Sequence, residues 1–283
     1  MTTLYDIAAP AKLNLFLHIT GRRTDGYHLL QSVFTLIDWC DTLHFESRAD
    51  GQIVREDLGA PLPADDLVLR AARALQHASG TPLGAHIGVL KSIPAQAGMG
   101  GGSSDAASTL LALNRLWQLN WPLARLLPLG LQLGADVPFF LHGHNAWVEG
   151  IGEHITPLDL PPARFAVLKP DVGVETARIF QSPDLQRATE PATMPDFVAA
   201  PFAFGRNDLQ PVAQSLCPEI TQALNWLKRF GLQPRMTGSG SAVFAHLPDD
   251  VVFTAAPDGW SFKVCNKMAV HPLAGWAGSD DSR

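Results

Sequence analysis

The stretch Pro94-Ala95-Gln96-Ala97-Gly98-Met99-Gly100-Gly101-Gly102-Ser103-Ser104-Asp105 puts four glycines into five consecutive positions, directly before a run of helical periodicity. In that run Ala106, Leu110, Leu113 and Trp117 fall on one face. Just upstream, Ala85-His86-Ile87-Gly88-Val89-Leu90-Lys91 reads as a strand. The order is therefore strand, glycine-rich loop, helix start. Glycines permit positive φ and close approach of a ligand to the backbone. Consecutive N–H groups can converge into an anion nest, and the helix start adds free donors and the positive end of its dipole. Gly101 is expected in that nest. Ser103 or Ser104 can cap the helix or turn a hydroxyl toward phosphate or metal. The chemistry suits a triphosphate. A flexible linker does not usually abut so well-patterned a helix. The missing Gly-Lys-Ser/Thr ending excludes the common P-loop, and no acidic residue stands about twenty positions on as a dinucleotide-binding unit requires.

The chain's 283 residues suit one large or two ordinary domains, and 46% hydrophobic with 17% charged content indicates a soluble globular protein. No apolar run is long enough to span a bilayer, and the opening residues lack the pattern of a signal peptide. A cytoplasmic location without membrane association is expected. Cys40, Cys217 and Cys265 are scattered and odd in number, which points to buried thiols in a reducing compartment and to no zinc site. The net charge of −6, without a basic stripe, argues against nucleic-acid binding, so local groups must hold any anionic substrate.

Residues 9–19 alternate. Ala11, Leu13, Leu15, Leu17 and Ile19 share one face; Lys12, Asn14, Phe16 and His18 share the other, which a solvated surface explains as well as a site does. Asp25-Gly26 marks a turn that presents Tyr27 and His28, groups able to stack on and hydrogen-bond a base, or simply to pack. Residues 31–38 and 41–47 read as two strands. Asp65-Asp66 opens a helix, Pro122 opens another over 123–133, and Asp136 before Val137-Pro138 reads equally as a helix N-cap or a catalytic carboxylate. A proline-rich crossing follows, and a boundary near Thr156 divides the chain into residues 1–156 and 157–283. Beyond it come a strand at 165–169, a short helix or extended loop at 176–180, a long surface loop over 182–205, a helical run from Asn207 that breaks at Pro218, and the cluster Thr237-Gly238-Ser239-Gly240-Ser241 feeding a strand. A disordered tail is expected from Ala277.

Three blocks stand in order: Pro10-Ala11-Lys12-Leu13-Asn14, residues 94–105, and residues 237–241. Together they resemble the three motifs of the GHMP kinases, the superfamily of galactokinase, homoserine kinase and mevalonate kinase. Asp25-Gly26-Tyr27-His28, Gly134-Ala135-Asp136-Val137-Pro138-Phe139, Asn207-Asp208-Leu209 and His271-Pro272-Leu273 are most similar to the branch of the non-mevalonate isoprenoid pathway that acts on a cytidine diphosphate-linked methylerythritol. The resemblance implies an α+β architecture: an N-terminal domain like ribosomal protein S5 domain 2, a C-terminal ferredoxin-like domain, and a cleft between them. It implies ATP and Mg²⁺, and transfer of the γ-phosphoryl to the 2-hydroxyl of the polyol. Asp136 would be the base with Lys12 as its partner. Lys91, Pro94, Gly98, Met99, Gly100, Gly101, Gly102, Ser103 and Ser104 would bind ATP. Asn14 and Thr176 would hold the erythritol part, while Tyr27, His28 and Phe180 surround the cytosine. For the metal the sequence offers only Ser104. Relatives usually carry Asn near the adenine where this chain has Asp66, which lacks the amide donor. The stretch 249–259 is short for a final helix. The rival readings are a GHMP kinase for another alcohol, such as mevalonate or homoserine, against which Tyr27-His28 argues, and a non-catalytic nucleotide sensor, against which Lys12 with Asp136 argues.

Overall fold

The computed structural model describes residues 2–248 and 251–278. Two very long antiparallel strands, β1 (Thr3–Arg22) and β2 (His28–Arg48), form its spine, joined by the turn that carries Asp25 and Gly26. There Arg23 N–H donates to Tyr27 O at 2.7 Å and Asp25 Oδ1 accepts from Tyr27 N–H at 3.2 Å. The second strand is continuous, not two strands as the sequence suggested. The register jumps from Ile37 to Cys40 opposite Pro10–Ala11, so a bulge accommodates the proline that cannot donate to the ladder.

On β2 are laid β4 (Gly84–Leu90), the parallel strand β3 (Ile53–Asp57), β5 (Ala146–Gly150) and β6 (His154–Pro157). The first sheet runs β3-β4-β2-β5-β6, with β1 paired to β2. One of its faces is covered by α1 (Leu67–Ser79), α2 (Gly101–Leu116), α3 (Leu123–Leu133) and α4 (Val137–His142). The α1 start follows from local chemistry, since Asp66 Oδ1 accepts Leu69 N–H at 3.0 Å. Ala106, Leu110, Leu113 and Trp117 are all buried, as their spacing predicted. Each leucine so buried contributes roughly 1.5–3 kcal/mol.

A second, antiparallel sheet comprises β7 (Arg164–Lys169), β8 (Arg235–Met236), β9 (Val243–His246) and β10 (Ser261–Asn266), in the order β10-β7-β9-β8. That order, with α7 (Gln210–Leu216) and α8 (Pro218–Lys228) between its first two strands, is the ferredoxin-like arrangement the resemblance implied. Between β9 and β10 no helix forms among the described residues. Phe253 instead stacks on Trp226 of α8, with centroids 5.9 Å apart. The run 182–205 is not simply a surface loop. It contains α6 (Met194–Ala199), whose fully buried Phe197 packs against Phe16 and Trp147.

The second sheet packs against β1 of the first. The middle of β1 packs Leu13, Leu15 and Phe16 with Phe165, Val167 and Phe244 of the second sheet, and a bulge between Asn14 and Leu17 lets neighbours Leu15 and Phe16 enter one core. Further on, Leu17 bridges to Asn207, and Ile19 N–H donates to Asp208 Oδ2 at 2.8 Å. The chain end returns to the first lobe, where Leu273 is buried and Gly278 N–H donates to Trp121 O at 2.9 Å. Ala277 and Gly278 are thus held rather than loose; the remainder of the expected tail, 279–283, lies outside the described residues. Among the described residues no helix is long and apolar enough to cross a membrane.

Candidate active site

The three motif blocks converge. Lys12, midway along β1, donates its backbone N–H to Met99 O at 3.0 Å, which pins the glycine loop against the strand. Asn14 N–H donates to Thr237 Oγ1 at 2.9 Å, and Thr237 Oγ1 approaches Gly98 O at 3.4 Å. Gly98 carries φ +71°, and a Cβ there would lie 2.2 Å from Thr237 O. Only glycine allows the two glycine clusters to touch. The nest differs in one detail from the sequence expectation. Positive φ falls at Gly98 and Gly100, whereas Gly101 is the first residue of α2. The cap of α2 is Gly100, not a serine, and Ser103 and Ser104 sit within its first turn.

The polar face of β1 is not solvated. Lys12 is 3% and Asn14 2% exposed. Lys12 Nζ donates to Asn14 Oδ1 at 2.6 Å, lies 4.3 Å from the centre of the Phe34 ring, and stands 3.4 Å from Asp136 Oδ2. Asp136 precedes α4 but makes no capping hydrogen bond, so the cap reading of this residue fails. Its carboxylate is one-third exposed and faces a cavity of about 700 Å³ also lined by Tyr27, His28, Thr176 and Phe180. Thr176 opens α5 (Thr176–Gln181) and meets Ser239 Oγ at 2.7 Å. His28 and Phe180 lie 4.9 Å apart at 34°. Asn14 does not reach this cavity; it lies beneath Lys12.

A second cavity, of about 540 Å³, is lined by Lys91, Pro94 and residues 96–103 of the loop, together with Asp66 and Ser239. Ser103 and Thr176 line both cavities, so the two adjoin. Asp66 is committed elsewhere: it caps α1 and pairs with Arg55 Nη1 at 3.0 Å. Lys91 bridges the buried Asp41 and Asp105, the latter at 2.5 Å, and Asp41 Oδ1 also accepts the N–H groups of Ser92 and Ile93 at 2.6 and 2.8 Å. Burial, reinforced by the neighbouring Asp41, pushes Asp105 up to about 7 in spite of Lys91. Burial works against the Lys91 charge, but the two carboxylates prevail and hold its pKa above the ordinary lysine value.

For a metal, Ser104 alone is a poor candidate, since it is fully buried and lines neither cavity. No three His, Cys, Asp or Glu side chains gather to hold an ion among the described residues. A Mg²⁺ that arrives on phosphates needs only one or two protein oxygens. Asp105 lines the loop cavity, and its Oδ1 is buried without a hydrogen-bond partner, as is Ser104 Oγ. Asp105 Oδ1 fits as such an oxygen, whereas Ser104 Oγ does not open onto the cavity. Sequence reasoning gave no site role to Asp105 and Ser239 of the cavity walls, nor to Asp41 and Arg187 behind them. Asp105 and Ser239 carried a local signal, since each lies in one of the three motif blocks; Asp41 and Arg187 carried none.

Comparison with known proteins agrees with this geometry. The family model for the GHMP kinases N terminal domain matches residues 66–144, and that for the GHMP kinases C terminal matches residues 197–255. A 4-diphosphocytidyl-2-C-methyl-D-erythritol kinase of Albidiferax ferrireducens is 68% identical over 280 residues, covering 99% of this chain and 98% of the relative. One of Paracidovorax citrulli is 64% identical over 285 residues, covering 99% and 100%. A crystal structure of a 4-(cytidine 5'-diphospho)-2C-methyl-D-erythritol kinase superposes with a TM-score of 0.75 at 35% identity, covering 85% of this chain and 89% of that one. Homoserine kinase from Cytophaga hutchinsonii, at 15% identity and TM-score 0.68 over 96% of each chain, shares the fold. The chain belongs to the GHMP kinases and, within them, to the 4-diphosphocytidyl-2-C-methyl-D-erythritol kinase family.

Proposed function

We propose that this protein transfers the γ-phosphoryl of ATP to the 2-hydroxyl of 4-diphosphocytidyl-2-C-methyl-D-erythritol, a step of non-mevalonate isoprenoid precursor synthesis. Supporting this reading are the whole-chain identity to enzymes of that name and, in the site itself, one observation above all. Asp136, paired with the buried Lys12, faces the aromatic cavity, which adjoins the glycine-loop cavity at Ser103 and Thr176. The loop cavity takes the triphosphate, with the amides of residues 98–103 as fixed donors. The aromatic cavity takes the cytidine end, with Tyr27 and Phe180 offering stacking faces.

Phosphoryl transfer asks chiefly for alignment and charge neutralisation. A bond forms between the acceptor oxygen and the γ-phosphorus. The bond from that phosphorus to the β,γ-bridging oxygen breaks, and ADP leaves with the electron pair. Asp136 accepts the hydroxyl proton. Lys12, held by Asn14 and Phe34, orients the Asp136 carboxylate and offsets negative charge on the group in transit. Thr176, tied to Ser239, positions the polyol, while Asn14 acts through Lys12 rather than by touching substrate. Mg²⁺, when bound with ATP, would neutralise phosphate charge, and Asp105 would supply a protein oxygen to it. A coupled ADP-release assay over the cytidine substrate, its methylerythritol moiety without cytidine diphosphate, mevalonate and homoserine tests the reading. Turnover is expected with the first alone. Preferential turnover of mevalonate or homoserine overturns it, and so does a protein that binds ATP but turns over none of them.

A further inference from the structure

Arg187 lies beyond α5, and each nitrogen of its guanidinium donates a hydrogen bond. Nη1 donates to Leu185 O at 3.1 Å, and Nη2 donates to Phe180 O at 3.2 Å and to Ser182 O at 2.5 Å. Three carbonyls thus fix the plane of the group. Its Nε then donates to Nε2 of His28 at 3.2 Å. A guanidinium has no acceptor and does not lose its proton in proteins. The nitrogen that receives this bond must be the unprotonated one. In a neutral imidazole the proton is therefore on Nδ1. Burial, with the positive charges of Arg187 and Arg22, holds His28 below the ordinary histidine range, so the ring is neutral near pH 7. The bond from Arg187 is the sole hydrogen bond to the ring among the described residues, and the ring lines the aromatic cavity.

We propose that Arg187 is a positioning and specificity-determining residue, which locks His28 as the Nδ1–H tautomer and so gives the aromatic cavity one fixed hydrogen-bond donor. Through its bonds to Phe180 O and Ser182 O the same guanidinium holds Phe180 beside that donor. A fixed donor next to a stacking face suits a base with adjacent acceptors on one edge. Cytosine presents N3 and O2 in that way, whereas uracil presents N3–H, which a donor opposes. The inference rests on the reading of this cavity as the base pocket.

The test joins spectroscopy to kinetics on the full chain. Long-range ¹⁵N–¹H correlation spectra, with His28 assigned through the signals missing in His28→Gln, are expected to show Nδ1 protonated and Nε2 bare in the wild type near pH 7. Arg187→Gln should abolish that preference. Arg187→Lys keeps the positive charge but has no Nε–H to donate in that plane; it should also lose the preference, with the melting temperature maintained. In both variants KM for the cytidine substrate should rise about tenfold, as for one lost hydrogen bond, with KM for ATP unchanged. The preference for the cytidine over the uridine analogue should fall. A wild-type ring in the Nε2–H form, or an Nδ1–H form that persists in both variants, overturns the proposal. Equal rises in KM for both substrates reduce Arg187 to a structural brace and overturn it as well. If the wild type turns over no cytidine substrate, the functional reading fails while the tautomer result still decides the role of Arg187.

Discussion

Asp136→Asn separates chemistry from architecture at this site. The substitution keeps the shape of the side chain and removes its charge and its capacity to take a proton. The α4 start loses nothing, because Asp136 makes no capping bond there. Lys12 loses its carboxylate at 3.4 Å but keeps Asn14 Oδ1 at 2.6 Å and the Phe34 ring. At that separation and an effective dielectric of about 20, the direct attraction is about 5 kcal/mol. Desolvation of the buried ammonium takes back much of it, and the one-third exposure of Asp136 screens more, leaving a net coupling of roughly 1–2 kcal/mol. The melting temperature should fall by about 2–4 °C for each of those kcal/mol. The kinetic loss should be far larger, about 10²–10⁴ in kcat if a general base is removed, equivalent to roughly 3–5 kcal/mol. Lys12→Met should be severe alone yet add little in the Asp136→Asn background, because residues that act as a unit are non-additive. The assay is kcat by coupled ADP release for both single variants and the double, with melting curves alongside. A fully active Asp136→Asn refutes the base role. Additive losses refute the claim that Lys12 works through Asp136.

Gly98→Ala should cost clearly more stability than Gly231→Ala: both positions have φ near +70°, but a Cβ meets Thr237 O at 2.2 Å in the first and nothing within 4 Å in the second. Thermal melts that drop equally would show that the two glycine clusters do not interlock, and calorimetry should find ATP affinity reduced only for Gly98→Ala. Tyr27 is 60% exposed, so Tyr27→Ala should leave melting unchanged while weakening the cytidine substrate by about 1–3 kcal/mol through lost stacking; weakened ATP binding instead would put the wrong ligand beside this turn. Burial pushes His271 down to about 4, below its unfolded value, so its contribution is complete above about pH 6.5 and is lost as pH falls toward 4. That loss is on the order of 3 kcal/mol, and melting temperature against pH should be shallower over this window in His271→Gln; identical slopes would exclude the buried imidazole as the cause.

The phosphate loop and its helix were legible in the sequence because their information is local. Glycine density, the strand before it and the apolar spacing after it all lie within one short stretch, and backbone sterics with periodic burial act at that range. The same holds for the helix start at Asp65-Asp66 and the Asp25-Gly26 turn. Local signals misled where a distant partner intervened. Residues 31–38 and 41–47 looked like two strands because the bulge opposite Pro10 interrupts their pattern, although the ladder continues through it. The Lys12 and Asn14 face looked solvated because alternation cannot say what covers a strand. Asn14 is covered by Thr237, which contacts it from 223 positions away. Asp136 read equally as a cap or a catalytic carboxylate because a helix with proline in its first turn follows it; the fold decides, since it makes no capping bond and faces the cavity and Lys12. Asp41, which with Asp105 grips Lys91, and the guanidinium that sets His28 come from 50 and 159 positions away, and neither has a motif of its own. The sequence by itself determined where backbone donors for phosphate would form, since that depends on neighbours along the chain. Only the tertiary structure decided which charges are buried together, which tautomer a histidine holds and which two cavities adjoin, because those depend on what the folded chain brings within a few ångströms.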